Sequence, residues 1–342
     1  MQIGIVAVKL FSIVLLLSAC RSKTKTNTEH FEKETKRRIE IIDPEAMAIL
    51  DTSQQIEIIA DSCNWTEGPL YIRDGDYFIF SDIPDNKIYK WKEGQGKSLY
   101  LTPSGYTGIY KREKHAGSNG LLLDPQGKLI LLQQGDRRIA RMNSSLDNPK
   151  PEFTLLADKC QGKLLNSPND AVYNNNGDLY FTDPPYGLDK GIDDTSRQLD
   201  FQGVYRLEKN GQVDLLTKEL KYPNGITLSP DGKYLYVANS DPDNMIWMQY
   251  ELNEDGLVKS QRIFYEVHSF EKKELGAPDG MKMNKRGYLF ATGPEGLWIF
   301  NPGGKLVARM YTGQLTSNCA LSSDEKTLYM TCDDYIMRLK LK

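Results

Sequence analysis

The sequence predicts an all-β fold, a six-bladed β-propeller whose four-stranded antiparallel blades surround a central channel. Three observations lead there. One unit is written six times: YIRDGDYFIFSD (71–82), LLDPQGKLILLQ (122–133), VYNNNGDLYFTD (172–183), TLSPDGKYLYVAN (227–239), KMNKRGYLFATG (282–293) and ALSSDEKTLYMT (320–331). Each joins an apolar run to a second run rich in Leu, Tyr, Phe, Ile and Val through a polar turn, the pattern of an antiparallel hairpin. The turn glycines Gly75, Gly127, Gly177, Gly232 and Gly287 fall 52, 50, 55 and 55 residues apart, with Lys326 in the sixth place. Finally, the ~300 residues from 45 to 342 divide into six units of about 50, which leaves room in each for two further strands, such as 203–207 and 246–251.

The elements follow in chain order. Residues 1–19 carry one lysine, Lys9, then an apolar run over 10–17, then Ser18-Ala19 before Cys20. As a helix, 10–19 would extend ~15 Å, short of the ~30 Å hydrocarbon core, so a secretory signal is expected rather than a membrane span. Leu17-Ser18-Ala19-Cys20 resembles the bacterial lipobox, in which the cysteine thiol receives diacylglycerol. Lipidation of Cys20 would hold the protein to a membrane of the bacterial cell envelope, facing the periplasm; a plain cleaved signal with a chance cysteine is the alternative. Residues 20–42, charged and Thr-rich, are expected to be a tether, and 43–342 the propeller. Asp43-Pro44 ahead of EAMAIL reads as a capped short helix. The apolar runs 56–59 and 335–341 lie at the two ends of the propeller, and pairing them in one blade would close the ring and remove two sheet edges.

Composition narrows the function classes. Forty-three basic against 46 acidic residues give a net charge of -3 with no dense basic block beyond the short stretch Lys36-Arg37-Arg38, so nucleic acid is not an expected partner. Cys63, Cys160, Cys319 and Cys332 match no zinc spacing and permit three disulfide pairings, none of them preferred. Glycines sit singly at turns, which leaves no phosphate cradle. The histidines at 30, 115 and 268, without a G-x-S-x-G elbow, make no Ser-His-Asp case.

Counting eight residues back from each turn glycine, or from Lys326, reaches Glu67, Asn119, Asn169, Asn224, Asp279 and Asn318. In a propeller the first strand of each blade lines the channel, so these six side chains converge on one axis. A buried polar group without a partner costs on the order of 1–3 kcal/mol, and six at one level need a common partner. Carboxylate and amide oxygens suit a hard divalent cation. Ca²⁺ fits best because it accepts irregular oxygen coordination. Mg²⁺ and Zn²⁺ are the other candidates, zinc being disfavoured by the absence of His and Cys at ligand spacing. A ring that binds only water, with Asn-Gly and Asp-Gly as ordinary turn formers, is the competing reading. Glu67, in Trp65-Thr66-Glu67-Gly68-Pro69, is no turn former and favours the cation.

WTEGPLY (65–71), SNGLLLDPQGKL (118–129), GDRRIAR (135–141), LNSPNDAVYNNNGDLYFTDPPYG (165–187), YPNGITLSPDGKYLYVAN (222–239) and APDGMKMNKRGYLF (277–290) resemble, in order, blocks of the senescence-marker-protein and gluconolactonase (regucalcin-like) family of calcium-dependent six-bladed propellers. The likeness runs from about residue 43 to the end, and NSPND with FTDPPYG is similar to its bacterial gluconolactonase-like branch. The resemblance implies that Glu67, Asn169, Asn224 and Asp279, from EGP, PND, PNG and PDG motifs, hold a catalytic Ca²⁺, although the residue matching Asn169 serves substrate more than metal in some members. Asn119 and Asn318 would support the ligands or touch substrate. The implied activity is opening of a sugar-derived lactone to its aldonic acid, the cation polarising the carbonyl. Asp279 is the expected base for water, with Glu67 the alternative. His115 and Tyr186 are rim candidates for substrate contact. One departure stands out: relatives commonly carry Glu-His after the second hairpin, where this chain has Gln133-Gln134. Two other functions fit the same residues: capture of an acid or polyol without turnover, and hydrolysis of a phosphotriester or other ester. Oligomeric state is not legible.

Overall fold

The computed structural model describes residues 37–114, 116–268 and 275–342, so Cys20, the leader, most of the expected tether and His115 lie outside the described residues. Among the described residues the strands form six antiparallel blades around an axis. Blade 1 is Thr66–Ile72, Tyr77–Asp82, Lys87–Lys92 and Gly96–Leu101, and blade 2 is Ser118–Leu123, Leu129–Gln133, Arg138–Met142 and Phe153–Ala157. Blade 3 is Ala171–Tyr173, Leu179–Asp183, Gly203–Leu207 and Val213–Thr217, and blade 4 is Pro223–Leu228, Tyr234–Asp241, Asn244–Leu252 and Val258–Glu266. Blade 5 contains Met281–Met283, Leu289–Gly293, Gly296–Phe300 and Leu306–Tyr311. Blade 6 takes Thr316–Leu321, Thr327–Cys332 and Tyr335–Lys340 from the end of the chain, and its outermost strand, Glu57–Ala60, from the beginning.

Burial explains the strand patterns. Second strands such as Leu129–Gln133 and Leu179–Asp183 are buried along their whole length, sandwiched by neighbouring blades, and therefore read as continuous apolar runs rather than alternations. The core lies between blades: Trp247, Trp298 and Phe300 pack blade 4 on blade 5, and Phe78 stacks on Tyr329 at 4.8 Å between blades 1 and 6. The expected closure is present, with Glu57 opposite Arg338 and Ile58 opposite Met337. Asp43 caps the short 3-10 helix Pro44–Ala48 by accepting the Glu45 N–H at 2.9 Å.

Two details depart from the sequence reading. Arg38–Ile41, within the segment expected to be a solvated tether, is a fifth strand on blade 5, with Ile39 opposite Met310 and Ile41 opposite Ala308. Ile39 and Ile41 pack on the core while Arg38 and Glu40 face outward, an alternation masked by the surrounding charge. The left-handed turn position is Gly127, Gly177, Gly232 or Gly287 in copies two to five, but Asp76 (φ 48°) in the first and Glu325 (φ 59°) in the sixth. The sixth copy is in register from Glu325, one residue before Lys326, whereas in the first an additional residue between Glu67 and Leu70 offsets the later turn at Asp76 and keeps Glu67 in the ring. The four described cysteines, Cys63, Cys160, Cys319 and Cys332, form no disulfide.

Candidate active site

Each channel residue sits where its strand leaves regular pairing. The register shifts between Glu67 and Leu70, Ser118 and Leu121, Pro223 and Ile226, and Thr316 and Asn318. In blades 3 and 5 regular pairing begins only at Ala171 and Met281, two residues beyond Asn169 and Asp279. Such irregularities re-aim a side chain, here toward the channel mouth instead of the layer between blades.

A chain of contacts fixes the backbone at this level. Ser81 Oγ donates to Asn119 O (2.9 Å), Thr182 Oγ1 to Asn224 O (2.7 Å), Ser240 Oγ to Pro278 O (2.6 Å), Thr292 Oγ1 to Ser317 O (3.1 Å) and Ser317 Oγ to Thr66 O (2.6 Å). Between blades 2 and 3 the Gly120 N–H donates to Asn169 O at 2.8 Å, so each blade grips the next all the way round. These bonds also satisfy buried carbonyls that have no strand partner. Glycine follows four of the channel residues for a reason of space. A Cβ on Gly225 would lie 2.2 Å from Asp279 O, and one on Gly280 would lie 2.0 Å from Asn318 Cγ. Asn-Gly and Asp-Gly here serve blade contact, not turns.

Glu67, Asn119, Asn169, Asn224 and Asp279 line one cavity of about 370 Å³ together with Trp65, Ile83, Gln134, Tyr186 and Ser240. The sixth position of the ring is Ser317, whose hydroxyl turns to Thr66 O. Asn318 is one step deeper, off the cavity wall, where its amide donates to Glu67 Oε2 at 3.3 Å. Eight residues back from Lys326 is Asn318, and Ser317 is eight back from Glu325, the left-handed residue of that turn. Tyr186 stands on the wall, half-exposed, its ring stacked on Tyr222 at 5.8 Å. Ile83, Gln134 and Ser240, at or just past the ends of second strands, were not anticipated as wall residues. The signal available was the Gln133-Gln134 departure, and Ile83 and Ser240 gave none.

The electrostatics single out the two acids. Burial pushes the Glu67 carboxyl up to about 7, with Asp170 adding to the shift and the Gly68 N–H (3.1 Å) and the Asn318 amide opposing it. Asp279 is held well above the usual carboxyl range by burial first, then by Glu67 and Asp170. Asp279 Oδ1 and Asn119 Oδ1 are buried with no hydrogen-bond donor among the described residues. Orphaned acceptors beside two like-charged buried carboxyls fit a cation, and a donor set made only of carboxyl and amide oxygens fits Ca²⁺ or Mg²⁺. No group of three or more His, Cys, Asp or Glu side chains able to hold a metal occurs among the described residues, so a zinc-type set is not present there.

The family described as SMP-30/Gluconolactonase/LRE-like region matches residues 65–333. A gluconolactonase of Zymomonas mobilis is 36% identical over 332 residues, 95% of this chain and 90% of its own length. A lactonohydrolase of Aspergillus oryzae is 26% identical over 199 residues, 53% of this chain and 45% of its own. Among solved structures, a gluconolactonase from Xanthomonas campestris superposes with a TM-score of 0.75 at 25% identity, covering 90% of this chain and 95% of that one. Six blades, the channel ring and similarity along nearly the full length agree: the chain belongs to the SMP-30/gluconolactonase/LRE-like family.

Proposed function

We propose that the protein hydrolyses a sugar-derived lactone to its aldonic acid with the help of one divalent cation, preferably Ca²⁺, held by Glu67, Asn169, Asn224 and Asp279. The observation that carries this reading is the meeting of two buried carboxyls from blades 1 and 5 with orphaned oxygens in an open cavity. Similarity to gluconolactonases supports the substrate class. When bound, the cation would supply a Lewis acid that polarises the ester carbonyl.

The chain's own residues supply the rest. Glu67 Oε2 is engaged by the Gly68 N–H and the Asn318 amide, whereas Asp279 Oδ1 is uncommitted, so Asp279 is the better base. It takes the proton of a water whose oxygen adds to the carbonyl carbon. As the ring C–O bond breaks, Asp279 returns that proton to the leaving ring oxygen and is again a carboxylate, and the new carboxylic acid releases the second proton of the water. Asn224 is oriented by donating to Ser240 Oγ at 2.9 Å, and Ser240 in turn holds Pro278, the residue before the base. Gln134 Nε2, buried and without an acceptor among the described residues, is placed to donate to a substrate oxygen. Trp65 and Tyr186 offer flat apolar faces to the sugar ring.

The test is proton release from glucono-δ-lactone by the purified protein, with and without chelator, beside a panel of other lactones, aryl esters and a phosphotriester. Chelator-sensitive lactone opening above the spontaneous rate is expected. Turnover of the phosphotriester alone, or tight ligand binding without turnover across the panel, would replace this reading. We also propose that Cys20 carries a lipid that anchors the protein to the cell envelope on the periplasmic side. Labelled fatty acid should be incorporated and lost with Cys20→Ala, and equal label in the variant would refute the anchor.

A further inference from the structure

Beneath the ring the channel holds a charge pair that lactone opening does not use. At the position following each ring residue four blades place Gly68, Gly120, Gly225 and Gly280, while blades 3 and 6 place Asp170 and Asn318. Asn318 is committed to Glu67. Asp170 is buried; its Oδ1 accepts the Ala171 N–H at 2.8 Å, and its Oδ2 has no hydrogen-bond donor among the described residues. Facing Oδ2, at 3.7 Å, is the ammonium of Lys282, which reaches there from the inner strand of blade 5, two blades away. Lys282 pairs with Phe290 in its hairpin, and the matching residues of the five other copies are Tyr71, Leu122, Val172, Thr227 and Ala320, none of them charged. The blade architecture therefore does not call for a lysine here. The charges around the axis do: Glu67, Asp279 and Asp170 against Lys282 leave two net negative charges, which one divalent cation neutralises. Without the lysine there would be three, and Asp170 would face the channel alone.

We propose that Lys282 is a built-in counter-cation: its ammonium pairs with Asp170 beneath the ring, fills the lower channel and holds the axis to a single divalent cation. The inference rests on the reading that the ring above binds one such ion. Calorimetric titration with CaCl₂ tests it on three proteins, the wild type, Lys282→Met and the double variant Asp170→Asn/Lys282→Met. One, two and one Ca²⁺ per chain are expected, because the single variant exposes Asp170 as a ligand and the double variant removes it again. One Ca²⁺ bound by Lys282→Met overturns the inference. If Lys282→Met does not fold, Asp170→Asn alone leaves an unpaired ammonium under the ring and should weaken Ca²⁺ binding at least about tenfold. The double variant should then restore it to within about threefold, a rescue that a merely structural Asp170 would not show. Equal affinity in Asp170→Asn and the wild type overturns the inference by that route. Failure of the wild type to bind any Ca²⁺ defeats the ring reading, and this inference with it.

Discussion

Gly225→Ala tests how strictly the ring depends on contact between blades. The added Cβ would lie 2.2 Å from Asp279 O and 2.6 Å from Gly280 Cα, and ordinary contact begins at 3.4 Å, so blades 4 and 5 must part by about 1.2 Å. Both obstructing atoms are backbone and neither can rotate away. Overpacking of this kind costs ~1–3 kcal/mol, and the rigid obstruction places this case at the upper end. At ~2.1 cal/mol/K of unfolding entropy per residue over roughly 300 residues, each kcal/mol shifts Tm by about 1.6 °C, so Tm should fall by roughly 4–5 °C. Asp279 moves with its own carbonyl, and a displacement near 1 Å at a reacting group costs ~10²-fold in rate. kcat/KM for the lactone, measured well below Tm, should drop by about that factor. Gly232→Ala is the control. Its glycine has φ +70° with nothing near the added methyl, so it should cost ~1 kcal/mol and leave turnover per folded molecule unchanged. A Gly225→Ala protein with kcat/KM within threefold of wild type would refute the proposed coupling.

Other outcomes follow from the same geometry. Asp279→Asn keeps an oxygen ligand but no base, so kcat should fall ~10²–10⁴-fold while Ca²⁺ affinity measured by calorimetry falls far less; equal losses would reduce Asp279 to a ligand. Glu67, pushed up to about 7 by burial, keeps its proton in the metal-free protein at lower pH, so Ca²⁺ must displace it. Affinity should rise with pH through about 7, by at least about tenfold from pH 6 to 8 for the Glu67 proton alone, with Asp279, also held up by burial, adding to the rise; equal Kd values would contradict this. The folded state binds that proton more tightly than the unfolded chain, so its contribution to stability is full below the ordinary Glu value and lost as pH rises through about 7. The metal-free Tm should therefore decline between pH 5 and 8, and a rising Tm would show that the acid is not protonated. Because Cys63, Cys160, Cys319 and Cys332 are unpaired, dithiothreitol should leave Tm unchanged, and a drop would reveal a bridge.

The hairpins, the blade count and the closing strand were legible because burial on both faces forces long apolar runs at a fixed spacing, and turns with φ > 0 favour glycine. Where the left-handed residue is not glycine, as at Asp76 and Glu325, the signal weakens, and the sixth register slipped by one, putting Asn318 where Ser317 belongs. Arg38–Ile41 was hidden because two isoleucines among charges are too short a period to outweigh composition. The five ring residues that share the cavity were found by counting. The hydroxyls of Ser81, Thr182, Ser240 and Thr292 that grip the next blade were not, because a buried serine or threonine looks the same in sequence whether it bonds within its own strand or across to a neighbour.

The last sheet is shared between Glu57–Ala60 and the final strand, Tyr335–Lys340, with Lys342 N still bonding Ile49 O at 3.0 Å. During synthesis the early segment must wait, unpaired, for residues made almost 300 positions later. A chain that stops before the last strand leaves Glu57–Ala60 without its partner, so the ring cannot close at that blade.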